Sequence, residues 1–414
     1  MLPQPNKITL KNGLEVYHIP MNKGSDVISV NVFYKVGSRN ETMGKSGIAH
    51  MLEHLNFKST DTRPAGEFDS IVKGFGGVNN ASTGFDYTHY YIKCSNSNLE
   101  KSLELYSDIM QNLSLKDEEF QPERDVVYEE RLWRTDNNPF GYLFFRLYNN
   151  AFIYHPYHWT PIGFKDDIKN WSIEDIREFH STYYQPKNAV ILIVGDIDES
   201  STFELTKKHF ESIKNTKEIP TVHTVEPKQD GMKKVILHKE GETEILALAY
   251  KIPPFKDKDR VKLEAVGEYL GSGKSSLLHK VLVDEKGLAN KIYAYCMSSI
   301  DENLFIIFVI CNPDVDANLV ESEVLSLLEN NKEPSSDDLE KIKNSVKSDF
   351  IYSFDSTSKV SQIYGEYIMK ADLELLFSYQ DEINSITKDD IKETFDKYFI
   401  KNNLTSVILK KDKK

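Results

Sequence analysis

His50, Glu53 and His54 lie in the run Gly47-Ile-Ala-His-Met-Leu-Glu-His-Leu55. On a helix, residues three and four apart share a face, so these three side chains project together while Ile48, Met51, Leu52 and Leu55 supply apolar packing. Two imidazoles one turn apart can hold a single zinc ion, and Glu53 then stands beside the metal as a base. The order H-x-x-E-H inverts the metallopeptidase motif H-E-x-x-H, and the chemistry survives inversion because both separations keep the groups on one face. The pentapeptide alone also fits an amphipathic helix with surface histidines, so its context has to decide.

The elements that must position this helix are legible in outline. Residues 8–10 and 14–19 predict two strands around the turn Lys11-Asn12-Gly13, and Val27 to Tyr34 predicts a third. A polar loop from Gly37 to Ser46 leads into the motif helix, and a second helix opens at Pro64-Ala65-Gly66-Glu67. Val78 to Cys94, rich in Thr, Tyr and small residues, predicts extended structure. Leu99 to Leu113 has helical periodicity. Asp117 to about Asn137 predicts one long charged helix, broken before Pro139, that carries Glu123, Glu129 and Glu130. Ser172 with Asp175 three residues on is a helix start, and Asn188 to Val194 is a buried apolar strand.

The chain repeats itself. Ser172 to Tyr184 aligns with Thr387 to Phe399, a shift of 387 minus 172, or 215, and the strands beginning at Asn188 and Asn403 keep that shift. Two tandem α/β units are predicted: residues 1–214, a polar linker at 215–234 with Pro220, Pro227 and Gly231, and residues 235–414. The same shift places His50 on Ala265, Glu53 on Glu268 and His54 on Tyr269. The second unit therefore lacks the metal ligands, giving one active and one degenerate half.

Composition narrows the function. The 51 basic against 64 acidic residues leave a net charge of -13, which argues against sequence-independent nucleic-acid binding and does not favour anionic membranes. Cys94, Cys296 and Cys311 have neither the count nor the spacing of a disulfide framework, so buried free thiols are expected. No stretch approaches the roughly 20 apolar residues of a membrane span. Met1 to Lys7 has no apolar leader core, which gives a cytoplasmic expectation as written and a periplasmic one if a leader has been removed. Gly271-Ser-Gly-Lys-Ser275 hints at a phosphate-binding loop, but the required earlier glycine is Glu268 and a helix precedes it.

Five segments resemble the insulinase/pitrilysin zinc peptidases, in the branch of the mitochondrial processing peptidase and its short bacterial relatives. They are Gly44 to His54 with Phe57-Lys-Ser-Thr60; Gly77-Val-Asn-Asn-Ala-Ser-Thr83; Glu123-Arg-Asp-Val126 leading to Glu130; His155-Pro-Tyr157 with Ile162-Gly163; and Tyr183-Tyr184 through Val194-Gly-Asp196. The resemblance implies an α+β fold of two homologous units, each a largely antiparallel sheet covered by helices. It implies Glu130 as third ligand to one Zn2+ per chain, 130 minus 54, or 76, residues beyond His54. Glu123 would orient a ligand imidazole, while Glu129 points away into solvent. Asn80 and Ala81 would lie on a sheet edge that adds an extended peptide by main-chain hydrogen bonds. The implied activity is endopeptidase cleavage of short or unfolded peptides by a metal-activated water, with Glu53 as general base.

One departure stands out. The family's second half carries an Arg and, seven residues on, a Tyr that steady the substrate carbonyl, and here Val283 and Asn290 occupy those places. Tyr293 could serve after a small shift in register. The departure opens two alternatives to a self-sufficient peptidase: a weak zinc-binding subunit whose partner supplies the Arg/Tyr pair, and a scaffold subunit. A homodimer, or a heterodimer with a related subunit, is the expected assembly.

Overall fold

The computed structural model describes residues 2–412. Its elements gather into two compact units. The first comprises the chain up to Arg131, Trp159–His223 and Ser353–Met369; the second comprises Leu132–His158, Thr224–Tyr352 and the chain from Lys370.

The first unit is built on a six-stranded sheet of β1 (Asn6–Thr9), β2 (Glu15–Pro20), β3 (Val27–Tyr34), β4 (Val78–Thr83), β5 (Thr88–Ser95) and β6 (Ala189–Gly195), in the order β1-β2-β6-β3-β5-β4. Every pairing is antiparallel except β2 with β6. The central strands β3 and β6 read V-I-S-V-N-V-F-Y and A-V-I-L-I-V-G and are buried almost throughout, as β-branched runs covered on both faces should be. Strand β4 is an edge, and its residues alternate between exposed (Val78, Asn80, Ser82) and half-buried (Asn79, Ala81, Thr83). On one face, Met51, Leu52, Leu103, Phe120 and Ile176 from the helices join Val30, Val32, Ile92 and Ile191 of the sheet in a single core.

The second unit repeats the plan with β7 (Lys233–Glu240), β8 (Ile245–Ile252), β9 (Ala289–Cys296), β10 (Asn303–Cys311) and β11 (Leu404–Asp412), in the order β7-β11-β8-β10-β9. Its one parallel pair, β7 with β11, stands where β2 and β6 stand in the first sheet. The 215-residue shift holds in the strand starts, 404 minus 189 and 303 minus 88. It holds in chemistry as well: Ser172 with Asp175 and Thr387 with Asp390 form complete reciprocal capping boxes. The fold is α+β, with two mixed, mainly antiparallel sheets covered by helices. Among the described residues no helix is long and apolar enough to cross a membrane.

Two segments cross the boundary expected at residues 215–234. The helix Pro139–Ala151 belongs to the second unit, where Phe140 lies 4.6 Å from Phe308 between ring centroids and the Tyr148 hydroxyl donates to Asn303 at 3.0 Å. The helix Thr357–Lys370 covers the other face of the first sheet, where the buried Asn31 amide donates to Ser361 at 3.0 Å and to the Leu192 carbonyl at 2.9 Å. The expected helix from Asp117 to Asn137 also ends early, at Arg131. Leu132–Asp136 widens into a turn of π-helix closed by the Asn137 amide on the Leu132 carbonyl, and Asn138 caps the next helix at Pro139.

Gly365 marks how tightly the covering helix sits. A Cβ there would overlap the ring of Phe33, which is 1% exposed and stacked on His89 at 4.0 Å and therefore has nowhere to swing. Gly365→Ala gains ~1 kcal/mol of helix propensity but overpacks at a cost of ~1–3 kcal/mol. The expected outcome is a net loss of up to about 2 kcal/mol, read as a lower urea midpoint at unchanged slope.

Candidate metal centre

The motif helix, Ile48–Leu55, buries Ile48, Ala49, Met51, Leu52 and Leu55 and leaves His50, Glu53 and His54 on its other side. It begins on Gly47 at φ +90°, a left-handed conformation that suits glycine, and a Cβ there would come within 2.8 Å of the Trp171 ring. Gly47 offers no side chain to cap the helix, and the cap comes from Glu41. This buried carboxylate accepts from the Gly47 amide at 2.8 Å, the Ala49 amide at 2.9 Å and the Trp159 indole at 2.8 Å. Burial pushes the Glu41 carboxyl up to about 8 against the pull of those three donors. At the other end Asn56 donates to the Leu52 carbonyl at 2.9 Å and to the Tyr90 hydroxyl at 2.6 Å.

Facing the motif helix is the acidic helix, Asp117–Arg131, anchored by buried Phe120, Val127 and Arg131. Glu123 and Glu130, seven residues apart on it, both reach His54. Glu123 Oε1 lies 2.8 Å from His54 Nδ1, and Glu130 Oε2 lies 3.4 Å from His54 Nε2 and 3.7 Å from His50 Nε2. The other Glu123 oxygen takes Lys58 at 2.6 Å. Burial pulls the His54 imidazole down, but the hydrogen bonds to Glu123 and Glu130 outweigh it and push it up to about 9; the bond from His54, helped by Lys58, draws Glu123 down to about 2. Negative charge thus converges on the paired imidazoles.

His50, His54 and Glu130 each offer one donor atom, all within 4.8 Å of one another. A tetrahedral ion with ligand bonds of about 2.0–2.1 Å sets its donors roughly 3.3–3.4 Å apart. The separations of 3.4 and 3.7 Å from Glu130 to the two imidazoles lie close to that, and two imidazoles with a carboxylate suit zinc chemically. The three side chains keep 13%, 21% and 16% of their exposure, which leaves room for a fourth, exchangeable ligand.

The remaining predicted residues fall in distinct places. Glu53 accepts from the Thr83 hydroxyl at 2.5 Å, and Glu129 is exposed on the acidic helix. Asn80 and Ala81 lie on the edge strand β4, Asn80 exposed and Ala81 half-buried. Val283 sits in the turn His279–Glu285 and Asn290 is exposed on β9, both in the second unit. His155 is buried between Asp301 at 3.0 Å and the Tyr157 amide at 3.1 Å, a structural setting. Glu41 and Thr83 had no assigned part. A helix opening on glycine needs a capping acceptor from elsewhere, and that signal points to the acidic residue in the preceding loop.

Two imidazoles and a carboxylate around one position, with a glutamate between the histidines, define a metallopeptidase centre of inverted motif on an α+β scaffold. The chain matches the insulinase (peptidase family M16) model over residues 18–159 and the peptidase M16 inactive domain model over residues 170–346. It is 52% identical to the zinc protease PqqE of Helicobacter pylori over 414 residues, covering 99% of this chain and 93% of that one. The crystal structure of a protease from Helicobacter pylori superposes with a TM-score of 0.97 at 52% identity, over 99% of this chain and all of the other. A probable mitochondrial-processing peptidase subunit beta of Arabidopsis thaliana is 26% identical over 379 residues, 89% of this chain and 71% of that one. The chain belongs to the M16 insulinase family and is a zinc protease.

Glu41 generates a prediction of its own. Both of its oxygens accept N–H donors, so Glu41→Gln turns an amide nitrogen toward one of them. The expected outcome is a loss of ~1–3 kcal/mol in unfolding free energy, measured by chemical denaturation of the metal-free chain.

Proposed function

We propose that the chain binds one zinc ion through His50, His54 and Glu130 and cleaves internal bonds of short or unfolded peptides, with Glu53 as the general base. The observation that carries this reading is the convergence of three donor atoms from two helices beside a fourth group suited to proton transfer. Zinc in that position supplies Lewis acidity, polarising a carbonyl oxygen and making water a stronger acid. Glu53 takes the proton of the attacking water and returns it to the leaving amine. Glu123 holds His54 Nδ1, which fixes the ring with Nε2 toward Glu130. The edge of β4 accepts an extended peptide through its main chain, with Asn80 and Ala81 in the docking segment, and this mode reads little side-chain identity.

Val283 and Asn290 favour a second component to the reading. Val283 has no hydrogen-bond donor and Asn290 offers only a neutral amide, so neither brings a positive charge to a substrate oxygen, and loss of one such donor costs about 10²- to 10³-fold in turnover. We infer a dimer, with itself or with a related subunit, as the working assembly. Native mass measurement tests this: a dimer is expected, and a monomer with full peptidase activity contradicts it.

The base assignment has a direct test. Glu53→Gln is expected to keep its zinc while losing about 10²- to 10⁴-fold in peptide turnover. Metal analysis and a fluorogenic peptide assay, with a chelated wild-type control, read both quantities. Wild-type turnover in a zinc-loaded variant removes Glu53 from the mechanism.

A further inference from the structure

We infer that Thr83 is a positioning residue that tethers the base to the substrate-docking strand. The inference rests on the reading of Glu53 as base and adds a residue to that machinery. Thr83 closes β4, and its hydroxyl donates to Glu53 Oε2 at 2.5 Å across a separation of 30 residues. A carboxylate can only accept, so the direction of the bond is fixed.

The donor is rigid. Thr83 pairs with Thr88 on β5, and the turn that follows is closed by the Gly84 amide on the Tyr87 carbonyl at 2.9 Å. The same turn is held from outside, where the Ser38 and Arg39 amides donate to the Gly84 and Phe85 carbonyls at 3.2 and 2.8 Å. Threonine adds a branched side chain with few rotamers. Glu53, by contrast, is a long side chain with three side-chain torsions to fix. A short hydrogen bond from a fixed strand holds the carboxylate at Oε2 and so favours one rotamer over the others.

The alternation of β4 separates this task from docking. Asn79, Ala81 and Thr83 turn toward the covered side, while Val78, Asn80 and Ser82 are exposed. Asn79 donates to Asp69 at 2.9 Å on the covered side, as Thr83 does to Glu53. A peptide added to the strand edge engages the backbone of β4, and the Thr83 side chain leaves that backbone unchanged when shortened or replaced by a shape-matched group. Removing the hydroxyl should therefore move kcat and leave KM in place.

The test compares zinc-loaded wild type, Thr83→Val, Thr83→Ser and Glu53→Gln on one fluorogenic peptide, with zinc per chain measured for each. Thr83→Val, which keeps the branched shape, is expected to lower kcat roughly ten- to hundredfold with KM changed by less than about twofold and zinc content unchanged. Thr83→Ser, which keeps the hydroxyl, is expected to stay within about threefold of wild-type kcat. Wild-type kcat in Thr83→Val overturns the inference. So does a loss that appears in KM or zinc content, or one that serine fails to recover. Glu53→Gln separates the two layers: wild-type turnover there removes the base itself, whereas an inactive Glu53→Gln beside an unaffected Thr83→Val removes only the tether.

Discussion

His54 is clamped between two carboxylates of a single helix, and most of the first unit exists to make that clamp possible. Glu123 reaches one ring nitrogen and Glu130 faces the other. A ring held at both nitrogens cannot rotate, so its position is set by the distance between the motif helix and the acidic helix. That distance is fixed by apolar side chains, Met51, Leu52 and Leu55 on one helix and Phe120 and Val127 on the other, which are 1% exposed or less. The polar chemistry is thus positioned by packing, and interiors packed to crystal-like density transmit small displacements. Lys58 completes the arrangement by neutralising part of the charge that two carboxylates concentrate on one imidazole.

Charge convergence has to be stabilised from the far side of the motif helix as well. The helix starts on a glycine, and its first amides point at Glu41, a carboxylate buried to 5% exposure. Burial disfavours its charged form and pushes the carboxyl up to about 8, and the Gly47, Ala49 and Trp159 donors offset part of that cost. The same device reappears at Glu226, whose carboxylate accepts the Ile153, Tyr154 and His155 amides and pairs with Lys251 at 2.8 Å. Each unit spends one buried carboxylate on fixing a chain segment whose amides lack helical partners.

How much of this the sequence revealed follows from the range of the forces involved. Local signals were plain: His50, Glu53 and His54 on one face, the capping boxes at Ser172 and Thr387, and the strand Val27–Tyr34 all depend on residues a few positions apart. The 215-residue shift was legible because both copies keep the same capping chemistry. The early end of the acidic helix at Arg131 was not, because the turn that follows is shaped by close packing of Gly141 against the Arg134 carbonyl. Nor was the placement of Thr357–Lys370 on the first sheet, which depends on Asn31 and Phe33 more than 300 residues away. Glu41 acts through three hydrogen bonds and Thr83 through one to Glu53, all set by tertiary placement, which leaves no periodic trace.

The degenerate unit shows what the site demands beyond the fold. Adding 215 carries Glu123 to Asp338 and Glu130 to Ser345, and Asp338 and Ser345 line a cavity of about 380 Å³ together with Glu268 and Tyr269, the counterparts of Glu53 and His54. Two facing helices therefore still frame the same position. The side chains are what differ: the His54 counterpart Tyr269 is 9% exposed, with its ring edge-on to Phe395 at 6.5 Å, so an imidazole is replaced by an aromatic that packs in the core. The Glu130 counterpart is Ser345, which offers no carboxylate. The five strands of the second sheet nevertheless keep the order of β2-β6-β3-β5-β4 in the first, so that order does not require His54 or Glu130. The reverse dependence holds for the first unit, where the positions of His54 and Glu130 are set by the buried side chains of the two helices that carry them.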